Sequence, residues 1–210
     1  KYRQSFPRLI QISEVLVSDS RVAGSLLILA PIVIFIGALL NPYGFGDWSD
    51  TRGLLGELGG NPGLTSVMSL VVMIGFVLFA AGFGKISDAM SNGSATPLIR
   101  IGALFIVVGA AGTAVECGLI AGSGGAAAAP EGRGMATAIA LITGAEGVGT
   151  LSSCALFIGF ALAGISFLIQ KNYPLIIGAL LAVVGILGVY AVSDEYYSDL
   201  AGYSFFALLV

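Results

Sequence analysis

Five long apolar runs, at residues 22–40, 64–83, 98–121, 149–169 and 174–192, limit what this chain can fold into. Each is close to the roughly 20 helical residues that cross a bilayer's hydrocarbon core. Five such runs in 210 residues leave no room for a separate soluble domain. The fold class expected is all-α, a polytopic transmembrane helical bundle. A sixth apolar stretch, 200–210, reaches only about 16 Å as a helix and reads as the opening of another, so about six crossings are expected. Hydrophobic residues make up 57% of the chain and charged residues 10%, the balance of a membrane protein. The 31 glycines would weaken helices in water. In lipid, small residues let helix backbones approach closely, and a tight bundle follows.

The loops give an orientation. Lys1, Arg3, Arg8, Arg21, Lys85, Arg100 and Lys171 fall on one side of the implied membrane, against Arg52 and Arg133 on the other. The positive-inside rule then places the N-terminus in the cytoplasm and the bundle in a cell's inner membrane. Asp47, Asp50, Glu57, Glu131, Asp194, Glu195 and Asp199 gather on the opposite face. Tyr43, Trp48, Tyr190, Tyr196 and Tyr197 stand at the outer ends of runs, where amphipathic rings favour the headgroup layer.

Residues 1–20 read as a cytoplasmic interfacial segment ahead of a transmembrane bundle at 21–210. Leu9, Ile12 and Leu16 fall at helical spacing, with an ordinary apolar linker as the other reading. Ser18, Asp19 and Ser20 offer N-cap oxygens to the first crossing. The low-complexity stretch 122–134 reads as an outward linker, since no strand precedes it to make a phosphate cradle.

Residues 101–112 (IGALFIVVGAAG) and 177–188 (IGALLAVVGILG) agree at eight of twelve positions, and Pro-Leu-Ile precedes each at Pro97 and Pro174. Ile74-Gly75-Phe76 in the second run likewise matches Ile158-Gly159-Phe160 in the fourth. The repeat predicts a duplicated helix hairpin, runs two and three recurring as four and five in the same orientation. Chance matching among Gly, Ala, Leu and Val is the competing explanation.

The stretches Arg21-Val22-Ala23-Gly24-Ser25-Leu26-Leu27, Gly53-Leu54-Leu55-Gly56-Glu57-Leu58 and Pro174-Leu175-Ile176-Ile177-Gly178-Ala179-Leu180 resemble a family of small uncharacterised bacterial six-helix membrane proteins. The resemblance covers about residues 21–210. It implies a fold, and brings neither an activity nor catalytic residues.

Several classes are disfavoured. A net charge of −3 offers nothing to a nucleic acid. With no histidine in the chain, haem and copper are disfavoured, and no cofactor or metal is expected. Cys117 and Cys154 behave as small hydrophobes rather than a disulfide framework. Lysines sit at run ends, aspartate is missing from run interiors and serines there lack a His or Lys partner, so neither a retinal Schiff base nor an intramembrane protease is supported.

Two carboxylates remain. Glu116 lies within the third run and Glu146 just ahead of the fourth, in the same outer half of the membrane. Charge there is costly and usually turned inward. Together, with Arg133 nearby in sequence, they are candidates for a cation, proton or polar-ligand site. The competing reading is packing, each Glu bonding a hydroxyl such as Thr113, Thr143 or Thr150. The apolar stretch 135–170 would extend about 54 Å as one helix, so a bend near Gly144, Gly147 and Gly149 is expected.

Three functions fit. The favoured one is a structural or accessory subunit of a larger membrane complex, with lipids and other membrane subunits, or further copies of itself, as partners. A small cation or solute transporter using Glu116 and Glu146 is the second. A lipid-modifying enzyme using the Glu pair and Arg133 is the third, and a non-enzymatic role is favoured over it.

Overall fold

The computed structural model describes residues 6–44 and 50–193. Its helices are α1 (Phe6–Leu40), α2 (Thr51–Gly60), α3 (Pro62–Ala89), α4 (Thr96–Ala127), α5 (Met135–Gln170) and α6 (Leu175–Ser193), with one 3-10 turn at Pro130–Gly132. No strand occurs among the described residues. Five helices are long and apolar enough to cross a membrane: α3, α4, α5, Arg21–Leu40 of α1 and Leu175–Val192 of α6. The chain is a multi-span helical membrane protein. The stretch 200–210, expected to open a sixth helix, lies outside the described residues, as do Trp48, Tyr196 and Tyr197.

The spans pack α1 on α3, α3 on α4, α4 on α5 and α5 on α6, with the α4–α5 pair the most extensive. Phe79, Phe83, Phe157 and Phe160 pack in the middle, Phe79 meeting Phe160 edge-on with ring centroids 5.4 Å apart. Glycines close the seams. A Cβ built on Gly75 of α3 would lie 3.0 Å from the Ile34 nitrogen and 3.1 Å from the Ala30 carbonyl oxygen of α1. On Gly159 of α5 it would lie 3.1 Å from the Ile106 nitrogen and 2.8 Å from the Gly102 carbonyl oxygen of α4. On Gly164, also of α5, it would fall on the Ala182 nitrogen, 2.7 Å from the Gly178 carbonyl oxygen of α6. One arrangement, a glycine notch receiving a turn of an antiparallel neighbour, thus occurs three times.

The two matched segments, in α4 and α6, differ in the helix their glycines face relative to the expected duplicated hairpin, while α3 still packs on α4 and α5 on α6. Gly102, Gly109 and Gly112 of α4 all face α5, and so do their sequence counterparts Gly178, Gly185 and Gly188 of α6. In the first copy the glycine stripe therefore turns away from its hairpin partner α3, and in the second it turns toward its hairpin partner α5. By contact, α1–α3 matches α4–α5. The matched sequences are two helices docking on opposite flanks of one central helix, and they do run parallel to each other.

Helix α5 runs unbroken from Met135 to Gln170, with no break at the glycines around Glu146. Two of the three glycines there are packing positions and one is open: Gly149 is buried, Gly144 stands in ordinary contact with Leu119 of α4, and Gly147 has nothing within 4 Å of its built Cβ. The contacts of Gly164, Gly185 and Gly188 place α6 alongside α5 from its C-terminal end back to about Phe157. Most of α5 before that point, with the end of α4, continues past the described end of α6.

Helix α2 covers part of that projection. Leu54, Leu55 and Leu58 bury against Ala138, Ile142 and Ala145, with Tyr43 buried in the same cluster. The stretch 122–127, expected as linker, completes α4. Its Gly124 lets the Leu58 carbonyl approach to 3.0 Å of the built Cβ position, and Gly59 packs on Ala127 in the same way. Asn61 joins α2 to α3, capping α3 by accepting from the Leu64 N–H at 3.3 Å. Thr65 then ties the corner by donating to the Leu58 carbonyl at 3.1 Å.

Helix α1 also begins earlier than the first apolar run. Ser18, Asp19 and Ser20 lie inside it rather than at an N-cap. Between Arg8 and Arg21 there is neither Gly nor Pro, and continuing a helix is easier than nucleating a new one.

Candidate functional site

The α4–α5 seam fixes the level of the two carboxylates. Thr113 Oγ1 donates to Ser152 Oγ at 3.4 Å, and Leu119 contacts the position a Cβ would take on Gly144. Glu116 falls between the first pair and the second on α4, and Glu146 falls between them on α5. The antiparallel register therefore brings the two to one height.

Their faces differ. Glu116 lies seven residues, about two turns, beyond Gly109, whose built Cβ meets Leu156 and Ser152 of α5. It is on the side of α4 that faces α5. Glu146 lies 18 residues, about five turns, before Gly164, which packs on α6. It is on the flank of α5 that α6 uses further along. The bundle places them level without turning them toward each other.

Both Glu residues are half-buried. Among the described residues no hydrogen bond or ion pair engages either carboxylate. Two of the three hydroxyls expected to satisfy them are used elsewhere: Thr113 bonds Ser152, and Thr150 donates to the backbone carbonyl of Glu146 at 2.9 Å. Arg133 is not brought to them. It is exposed in the α4–α5 connection, its Nε 3.6 Å from Glu131 Oε2 and donating to the Pro130 carbonyl at 3.4 Å. Ser69, buried in α3, has no hydrogen-bond partner among the described residues.

A second feature lies at the opposite end of the spans, with Lys85, Arg100 and Lys171. The α3–α4 and α5–α6 turns border an open cavity of about 300 Å³ lined by Met90, Asn92, Ser94, Ile169, Gln170 and Asn172 among others. Gln170 Nε2 donates to the Met90 carbonyl at 3.4 Å, and Asn172 Nδ2 donates to Gln170 Oε1 at 3.0 Å. Thr96 Oγ1 accepts from the Gly93 N–H at 3.0 Å and donates to the Met90 carbonyl at 2.9 Å, holding the first turn closed. Gly93 is needed here because a Cβ would fall on the Gln170 amide. Lys171 ends α5 in the left-handed conformation, φ 55°, its N–H bonded to the Phe167 carbonyl at 2.9 Å.

In the sequence these turns stand out only through the basic residues Lys85, Arg100 and Lys171 that mark one side of the membrane. The signal for the cavity was two short polar strings, Ser91-Asn92-Gly93-Ser94 and Gln170-Lys171-Asn172, each just before a Pro-Leu-Ile. That they meet follows from the helix pairing, not from either string.

No protein-family model, curated protein or solved structure matches the chain.

Proposed function

We propose that this chain is a structural or accessory subunit of a larger assembly in a cell's inner membrane, with its N-terminus in the cytoplasm. The observation that supports this reading is the way the seams are filled. At α1–α3, α4–α5 and α5–α6, backbone approaches backbone across a glycine, which leaves little room for a solute between those helices. Leu104, Val108, Leu151, Leu175 and Ile176 face outward, available to lipid, other subunits or further copies of the chain. The orientation rests on Arg21, Lys85, Arg100 and Lys171 lying at one end of the spans, with Arg52 and Arg133 at the other. The resemblance to small six-helix bacterial membrane proteins, with 200–210 as the start of a sixth helix, fits the same picture.

Mild-detergent extraction of the native protein followed by native electrophoresis tests it. Migration in a defined complex with other membrane proteins is expected. A chain that leaves the membrane alone and at monomer size would overturn the subunit reading.

A cation or solute transporter is the second reading, favoured by one observation. Glu116 is a carboxylate without a partner among the described residues, in a membrane-spanning helix, a position where ionisable groups are usually functional. Proton- or cation-coupled flux in liposomes that disappears in Glu116→Gln would select it. The lipid-modifying enzyme has less support, because Arg133 stands with Glu131 instead of the two carboxylates.

A further inference from the structure

We infer that the cavity between the α3–α4 and α5–α6 turns binds a phosphate group, supplied by the headgroup of an anionic membrane lipid. The first ground is the donor set. Asn92, Ser94 and Asn172 bring amide and hydroxyl groups to a cavity of about 300 Å³, and no carboxylate lines it. Gln170 ties the two turns together through Met90 and Asn172, so the wall is a bonded unit rather than two independent loops.

The second ground is charge. Lys171 sits between two lining residues and Arg100 one turn into α4, both exposed, while Asp88 stands in the last turn of α3, next to the lining residue Ala89. Helices α4 and α6 begin at this end while α3 and α5 finish there, so the helix dipoles offset one another and the positive charge comes from the two side chains. Basic pockets between membrane helices at the cytoplasmic surface are where lipid headgroups are held.

The third ground separates a lipid from a free anion. Ile169 lines the cavity and is 48% exposed, and Leu175 and Ile176, in the first turn of α6, are 70% and 67% exposed. A polar cavity edged by Ile169, with exposed apolar residues in the first turn of α6, suits a molecule whose headgroup enters while its acyl chains run along the outside of α5 and α6.

The test uses the full chain in mixed micelles containing equal phosphatidylglycerol and phosphatidylcholine, with retained lipid read by native mass spectrometry. Phosphatidylglycerol is expected to be retained preferentially. Lys171→Gln should lower its retention about fivefold, the loss for one basic group at an anionic surface, and Ser94→Asp, which places a negative charge at the cavity, should do the same. Both positions are exposed, and circular dichroism and gel filtration check that the variants fold. Arg133→Gln, at the other end of the spans, should change nothing.

Inorganic phosphate at millimolar concentration distinguishes the source. If it leaves retention intact, the lipid reading stands. If it displaces the lipid and raises the thermal stability of the wild type but not of Lys171→Gln, the phosphate site stands with a free anion as occupant. Equal retention of the two lipids, or retention unchanged in both Lys171→Gln and Ser94→Asp, would overturn the proposal.

Discussion

Gly164 sits where a methyl group would fall on the Ala182 backbone nitrogen, whereas Gly118 has nothing within 4 Å of its built Cβ. The two glycines therefore answer the same substitution differently. Gly164→Ala should destabilise by about 1–3 kcal/mol, since a backbone atom cannot move aside as a side-chain tip can. Gly118→Ala should be neutral or stabilising by up to about 1 kcal/mol through helix propensity. Thermal unfolding of both variants in one detergent checks the contrast, and equal shifts would refute the notch interpretation. Glu116 makes a separate case. Its carboxylate has no partner to lose, so Glu116→Gln should leave stability unchanged or higher, and a large loss on unfolding would reveal an interaction with residues outside 6–44 and 50–193.

At the scale of the element, α2 is short and is held by its buried face. Leu55 and Leu58 are fully buried, and a ten-residue helix is marginal without such packing. Leu58→Ala should cost about 2–5 kcal/mol and leave α2 open to protease while the spans stay protected. Limited proteolysis of reconstituted protein reads this directly. Helix α5 offers the complementary test. Were Gly147 a hinge, Ala there would stiffen a required bend. In an unbroken helix with open space around that position, Gly147→Ala should be tolerated and slightly stabilising, again by up to about 1 kcal/mol.

At the scale of the whole molecule, the basic residues predict how the bundle sits. A cysteine introduced at Glu131 or Asp50 should react with an impermeant thiol reagent applied to intact cells, and one at Ser91 should react only after permeabilisation. The reverse pattern would invert the bundle and place the polar cavity at the outer surface. Cys117 is buried and Cys154 half-buried, so background labelling should be low.

The spans were legible because a helix that crosses hydrocarbon must be apolar along its whole length, a local property written in consecutive residues. Runs 22–40 and 174–192 sit almost residue for residue within the observed spans, and the class of fold followed from them. The long helices were harder to read for a physical reason. Gly144, Gly147 and Gly149 can mark a bend or a close contact, and only the neighbouring helix decides which. The same ambiguity made 122–127 look like linker until Leu58 and Thr65 were seen against Gly124. The repeat was visible in the letters of α4 and α6, yet the helix that each stripe faces was not, because identity between two segments says nothing of the third segment between them. The sequence also singled out Glu116, Glu146 and Arg133 as chemically unusual. Tertiary packing made the first two level but turned to different flanks, left Arg133 in the connecting loop, and joined two unremarkable polar turns into a cavity. Burial in lipid is decided residue by residue, whereas the company a side chain keeps depends on how helices distant in sequence meet.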